Sequence, residues 1–286
     1  MRSGFVAVAG RPNVGKSTLV NALTGGKVAI VSDKPQTTRH RIHGIANGDD
    51  YQLVLADLPG FQRPLDAMTE RMQRTVDRSF DEVDAVLFVL SARERIGAGD
   101  RFIADRVFSR GVPVVIALNK VDRLKPGHIA TQMATAAKLG EFHALHPVSA
   151  KTGDGVEALR GDLASLLPEG PAYFPPEQRT NLPLELQIAE LVREKALQLT
   201  REELPHAITV EVEELTDKAV RATIYVETDS QKQIVIGRGG SVVKEIGTRA
   251  RPEIEALLGH PVYLDLQVKA RPRWRRDETM LERLGI

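Results

Sequence analysis

The chain has 286 residues, 39 basic and 38 acidic side chains and no cysteine. That composition excludes disulfides, CxxC redox chemistry and thiolate metal sites, and leaves no bulk charge to attract nucleic acid or membrane, so such a partner must be met by a local patch. The length suffices for two domains, and the longest apolar runs, such as Ala85 to Leu90 and Val112 to Leu118, fall far short of a bilayer span, so a cytoplasmic protein without a transmembrane segment is expected.

From residue 4 to about 167, apolar strand-like runs (Phe5 to Ala9, Leu53 to Ala56, Ala85 to Leu90, Val114 to Leu118, Ala144 to Val148) alternate with amphipathic stretches. This is the pattern of a mostly parallel, doubly wound α/β sheet. Asn47-Gly48 joins Arg41–Ala46 to Tyr51–Ala56 as a tight hairpin, expected at the sheet edge. His40/His43 and His143/His146 have i,i+3 spacing but read better as loop or edge positions than as metal pairs.

The first strand runs into Gly10-Arg11-Pro12-Asn13-Val14-Gly15-Lys16-Ser17-Thr18, a GxxxxGKS phosphate loop opening a helix over Ser17 to Leu23. Its glycines let backbone amides close on phosphates, Lys16 reaches the β- and γ-phosphates, and Ser17 ligates Mg²⁺. Pro35-Gln36-Thr37-Thr38-Arg39 follows, with Thr38 favoured over Thr37 to complete the Mg²⁺ shell. Asp57-Leu58-Pro59-Gly60 ends the next apolar strand: Asp57 holds Mg²⁺ through water and the Gly60 amide touches the γ-phosphate. Both segments are ordered by that phosphate and released on hydrolysis. Asn119-Lys120-Val121-Asp122 closes a further strand. Asp122 accepts from the guanine ring N–H and exocyclic amine, which selects GTP over ATP by about 10⁴. Ser149-Ala150-Lys151 offers a backbone N–H to the guanine O6.

These elements in this order resemble the small GTPase domains of the translation-factor type, over residues 1–167. One departure stands out: Phe61 follows Gly60, where signalling GTPases carry a water-orienting glutamine, and Gln62 lies one place further. Slow intrinsic hydrolysis that depends on a partner, a cation or another residue is expected. In GTPases with this hydrophobic replacement, an asparagine placed like Asn13 helps hold K⁺ beside the phosphates, which makes Asn13 a catalytic candidate with Lys16, Thr38 and Gly60; shaping the loop is its other reading.

Pro168, Pro171, Pro175, Pro176 and Pro183 mark residues 168–183 as a linker. Beyond it the pattern predicts a helix from Leu184 to Leu199, strands over Ile208–Val212 and Val220–Val226, and a last strand over Val262–Val268. Between them, Ser230 and Gln233 fit a capping box, and Gly237-Arg238-Gly239-Gly240 follows Ile234-Val235-Ile236. The third glycine of a dinucleotide fingerprint is missing. The helix, strand, strand, helix, GxxG, helix, strand order instead resembles the α+β type II K homology (KH) domain, whose loop clamps single-stranded RNA.

Charge supports that reading: residues 218–251 hold seven basic side chains, Lys232, Arg238, Lys244 and Arg249 among them, against three acidic. The tail Lys269-Ala270-Arg271-Pro272-Arg273-Trp274-Arg275-Arg276 adds five cations and the only tryptophan, read either as RNA contacts with Trp274 stacking on a base, or as a solvated basic end with Trp274 packed on the domain.

A P-loop GTPase domain (1–167), a proline-rich linker (168–183) and a type II KH domain (184–286) together resemble the Era family of bacterial ribosome-assembly GTPases. The resemblance runs through GRPNVGKS, PQTTRHRI, DLPG, NKVD, SAK and IVIGRGG. It implies GTP/GDP and Mg²⁺ as ligands, binding near the 3′ end of 16S ribosomal RNA on the 30S subunit, slow hydrolysis stimulated by RNA, a monomer, and loose peripheral contact with the inner membrane. Other RNA-associated GTPases and an RNA-binding scaffold with structural GTP are the alternatives.

Overall fold

A computed structural model describes residues 1–32, 34, 37–61, 64–200 and 204–286. It divides into two units: 1–31, 38–64 and 71–181 form the first, and 32–37, 65–70 and 182–286 the second.

In chain order the first eleven elements are β1 (Arg2–Ala9), α1 (Lys16–Thr24), β2 (Ile42–Asn47), β3 (Tyr51–Asp57), α2 (Ala67–Ser79), β4 (Ala85–Ser91), α3 (Ala98–Phe108), β5 (Val114–Asn119), α4 (Pro126–Ala136), β6 (Ala144–Pro147) and α5 (Val156–Ser165). The sheet order is β2-β3-β1-β4-β5-β6. Every pairing is parallel except the β2/β3 hairpin at the edge, as its Asn-Gly turn requires. Because side chains alternate along a strand, β1 sends Val6 and Val8 into one core and Ala7 and Ala9 into another, each roofed by helices. The crossovers bring the C-terminal ends of β1, β3 and β5 to one rim, where ligands bind in such sheets.

Residues 168–181 are fastened along this unit. Gln52, fully buried, accepts from the backbone N–H groups of Tyr173 and Phe174 (2.7 and 2.9 Å) and donates to the Phe174 carbonyl at 2.8 Å. Ile45 N–H donates to the Arg179 carbonyl at 2.9 Å, so the segment covers the open edge of β2.

The second unit contains α6 (Leu184–Leu199), α7 (Leu204–Ala207), β7 (Thr209–Leu215), β8 (Ala219–Val226), α8 (Asp229–Ile236), α9 (Ser241–Leu258), β9 (Tyr263–Ala270) and α10 (Glu278–Arg283). β8 is central, antiparallel to β7 and parallel to β9. The cap of α8 differs from the sequence expectation. Thr228, not Ser230, is the N-cap: its side chain accepts from Gln231 N–H, and Gln231 reaches back to the Thr228 N–H. Thr228 is extended, whereas Ser230 already lies within the helix. Ile234-Val235-Ile236 then completes the last turn despite its β-branching, because burying Val235 in the core outweighs a small propensity cost. Gly237 ends the helix.

Candidate functional site

The phosphate loop is shaped by its glycines. Gly15 has φ +99°, and a Cβ there would lie 2.4 Å from Asn119 Nδ2, so only glycine lets the loop approach β5 this closely. Asn119 uses that approach, donating to the Val14 carbonyl at 3.0 Å and accepting from Ala150 N–H at 3.0 Å. Lys120, itself left-handed at φ +70°, donates to the Asn13 carbonyl. Phosphate loop, NKVD and SAK are thus tied into one frame. In that frame the Ala150 N–H is engaged by Asn119.

Lys16 is buried and donates to the carbonyls of Gly10 (3.2 Å) and Arg11 (3.1 Å). Burial pulls its pKa down to about 8, against the opposing charge of Asp57. Burial raises the Asp57 carboxyl, against the Lys16 charge and the hydroxyls of Ser17 and Thr38. Ser17 Oγ donates to Asp57 Oδ2 at 2.7 Å, and Thr38 Oγ1 lies 3.0 Å from Ser17 Oγ and 3.4 Å from Asp57 Oδ2. Thr37 instead donates its hydroxyl to the Lys34 carbonyl, so of the two threonines it is Thr38 whose hydroxyl stands with Ser17 and Asp57. Asp57 Oδ1 is buried without a hydrogen-bond partner among the described residues. A cluster of hard oxygens with one carboxylate oxygen unsatisfied suits Mg²⁺, which binds through one or two carboxylates and keeps several waters.

Beside the loop lies a cavity of about 320 Å³ lined by Gly15, Thr18, Asn119, Lys120, Asp122, Ser149, Ala150 and Lys151, with Val31 and Arg93 added. Asp122 is oriented there by the Ser149 hydroxyl (3.2 Å) and Arg93 (3.1 Å). Neither Val31 nor Arg93 carries a motif; they arrive by tertiary folding.

Gly60 packs against Pro12, since a Cβ on Gly60 would be 3.0 Å from the proline ring. Phe61 turns into the core, stacked on Phe80 at 5.8 Å between ring centres and covered by the Arg106 guanidinium. It anchors the DLPG segment and cannot orient water. Gln62, like Pro35 and Gln36, lies outside the described residues.

In the second unit, Gly237-Arg238-Gly239-Gly240 turns between α8 and α9. Gly239 (φ +60°) and Gly240 (φ +80°) have open space where a side chain would stand, with the N-terminus of the 18-residue α9 directly behind. An adjoining cleft of about 430 Å³ runs between α9 and the edge strand β9, lined by Val243, Lys244, Gly247, Arg251, Leu264 and Leu266 among others. Lys244, Arg238 and Arg249 are exposed on the loop and α9, and Lys232 is half-buried on α8.

Of the two readings of the tail, the structure has Trp274 packed on the domain. Trp274 is fully buried, with its indole N–H donated to the Ala207 carbonyl at 2.8 Å, so it packs in the domain and offers no face to a base. Lys269 pairs with Glu213 at 3.0 Å and Arg271 with Asp277 at 2.6 Å. Strand alternation puts Lys269 on the sheet face opposite Leu264, Leu266 and Val268, which pack under the helices. The structure therefore does not gather Lys269 with the glycine loop. Arg273 is exposed in a left-handed turn. Among the described residues no group of three or more histidine and carboxylate side chains could hold a metal, and no helix is long and apolar enough to cross a membrane.

Comparison with known proteins matches residues 5–120 to the family described as 50S ribosome-binding GTPase and residues 203–275 to the KH domain. GTPase Era of Mycobacterium tuberculosis is 46% identical over 295 residues, covering 99% of this chain and 98% of that protein. GTPase Era of a Nocardioides species is 48% identical, covering 100% and 96%. A crystal structure of Era in complex with MgGDPNP and nucleotides 1506–1542 of 16S ribosomal RNA superposes with a TM-score of 0.96 at 38% identity, covering 100% of this chain and 99% of that one. An Aquifex aeolicus Era variant bound to GDP·AlF4⁻ gives the same score and identity.

Proposed function

The chain belongs to the GTPase Era family, and from that premise we propose that it is a GTP-hydrolysing switch whose KH unit binds the 3′ region of 16S ribosomal RNA during small-subunit assembly. The observation that carries this reading is the pairing of two phosphate-receiving loops in one chain: one with a buried lysine and an oxygen metal set, the other open, glycine-lined and cationic.

In the first unit the loop amides and Lys16 receive the β- and γ-phosphates. Lys16 exchanges two carbonyl partners for phosphate oxygens, which favour its charged form in a desolvated site. Ser17 and Thr38 would hold Mg²⁺ directly and Asp57 through water, and the ion would supply charge to offset that developing on the phosphates. Asp122, held by Ser149 and Arg93, takes the guanine ring N–H and amine. Gly60 N–H faces the γ-phosphate, so hydrolysis frees both Gly60 and Thr38. With Phe61 buried, the attacking water is left without a side-chain base from that position, which supports a slow intrinsic rate raised by RNA and by K⁺ near Asn13. In the second unit the GxxG amides and the N-terminus of α9 take backbone phosphates, Arg238, Lys244 and Arg249 add charge, and the cleft between α9 and β9 receives bases. Residence in the cytoplasm as a monomer, with peripheral contact at the inner membrane, follows the family relationship.

The test is Arg238→Asp with Gly239→Asp, which puts two negative charges on the loop at positions open to solvent. RNA spanning nucleotides 1506–1542 of 16S ribosomal RNA should no longer bind, while GTP affinity stays at the wild-type value. Retained RNA affinity sinks the clamp, and single-turnover hydrolysis that ignores RNA in the wild type sinks the RNA-stimulated switch.

A further inference from the structure

The second unit includes residues 32–37 and 65–70, stretches that lead into Thr38 and away from Gly60. One described residue in each, Thr37 and Asp66, is bound by an arginine of the C-terminal region. Arg193 on α6 is almost wholly buried and forks onto Glu190 through Nε (2.7 Å) and Nη2 (2.6 Å). Nη2 also donates to the Thr37 carbonyl. That carbonyl shares a peptide group with Thr38, whose hydroxyl lies beside Ser17 and Asp57. Arg275, from the basic tail, pairs with Asp66 at 2.7 Å, one residue before α2, with both side chains largely buried. Asp66 also accepts from Thr69 N–H through its other oxygen, at 2.9 Å.

Both arginines are rigidly mounted. Trp274, fully buried and bonded to Ala207, fixes the residue next to Arg275. Two positions beyond Arg193, Lys195 holds Glu194 at 2.7 Å and Glu253 of α9, the helix that the glycine loop opens. Buried ion pairs of this kind are weak sources of stability, because desolvation offsets their attraction; a registry or switch role is their better-attested use.

We propose that Arg193 and Arg275 make the RNA affinity of the KH unit depend on the bound nucleotide, by holding the peptide at Thr37 and the carboxylate of Asp66 in the arrangement the γ-phosphate favours. When the phosphate leaves, Thr38 loses its reason to stay beside Ser17, and its peptide with Thr37 moves or Arg193 releases it. Either event disturbs α6 and, through Lys195 and Glu253, α9. The inference rests on the switch and RNA readings above and assigns the coupling to two side chains outside both ligand sites.

The experiment titrates full-length protein with the 1506–1542 RNA in excess GDP and in excess non-hydrolysable GTP analogue. Wild type should show RNA affinities differing between the two by about 5- to 150-fold, the usual range of allosteric coupling. Arg193→Gln and Arg275→Gln should each shrink that ratio, and together bring it to about one, with both nucleotides still bound. By reciprocity, the effect of RNA on the preference for analogue over GDP must shrink by the same factor. Should the arginine variants fail to fold, Asp66→Asn breaks the second contact while keeping the oxygen that accepts from Thr69, and the ratio should again fall. A wild-type ratio of one, or an unchanged ratio in folded variants, overturns the coupling. Absence of RNA binding in either nucleotide state overturns the RNA reading beneath it.

Discussion

Replacing Asp122 by asparagine tests the base site most directly. The carboxylate is positioned by two contacts that the substitution alters little in shape, Ser149 Oγ at 3.2 Å and Arg93 at 3.1 Å, so the cavity should keep its form. What changes is the face offered to guanine. Two hydrogen bonds to a charged acceptor, at about 1.5–3 kcal/mol each, are replaced by one carbonyl and one amine that opposes a donor. The loss of about 3–6 kcal/mol corresponds to about 10² to 10⁴ in affinity, since each 1.4 kcal/mol is a factor of ten.

Xanthine presents a carbonyl where guanine has its amine, so the asparagine amine finds an acceptor there. Displacement of a fluorescent nucleotide by GTP, ATP and xanthosine triphosphate would read all three affinities. Weakened GTP binding with recovery by xanthosine triphosphate is expected. GTP affinity within a few-fold of wild type, in a protein with unchanged melting, would refute the assignment of Asp122 to the base.

Three further outcomes follow from the same geometry. Lys16 titrates near pH 8 in the nucleotide-free protein and must be charged against the phosphates; above that pH binding takes up a proton. Affinity for GTP should therefore fall about 4-fold between pH 7 and 8.5 by linkage, below the range in which the guanine ring titrates, and a flat profile would contradict the buried lysine. Trp274→Ala should cost about 3–5 kcal/mol of stability in denaturant titrations, as expected for truncating a fully buried large side chain, and an unchanged midpoint would contradict its burial. Removing Mg²⁺ with a chelator should weaken GTP binding, and Asp57→Ala should abolish the difference that Mg²⁺ makes; a full Mg²⁺ effect in that variant would remove Asp57 from the metal set.

The nucleotide site was legible in the sequence because each of its parts is a short contiguous run whose backbone geometry is local. GxxxxGKS, DLPG and NKVD each sit where a strand ends, and the parallel sheet brings those ends to one rim. Val31 and Arg93 were not legible because nothing local distinguishes them; they enter the base cavity only through the fold. Thr38 was favoured over Thr37 from the sequence, and what no local pattern showed is that the Thr37 hydroxyl donates to the Lys34 carbonyl while that of Thr38 lies beside Ser17 and Asp57. Trp274 shows the opposite hazard. Five cations around one aromatic suit a nucleic-acid surface as well as a packed indole, and what separates the two is a backbone acceptor in Ala207, sixty-seven residues earlier, which no local pattern reveals.

The proline-rich stretch shows what composition does and does not encode. Five prolines remove five backbone donors, which forbids a helix and suggests a linker. A segment short of donors still carries its acceptors, and an open sheet edge exposes donors that need them. Pro168 and Pro171 accept from the backbone and the hydroxyl of Ser3, Pro176 from the Asn47 amide, and Arg179 from Ile45 N–H; Asn181 takes His43 N–H through its side chain. An uncovered β2 would present the N–H groups of His43 and Ile45 as a template for a second chain. The same residues that cannot extend a sheet in both directions are therefore suited to finish one, and their spacing in the sequence records missing donors without recording the edge that uses their carbonyls.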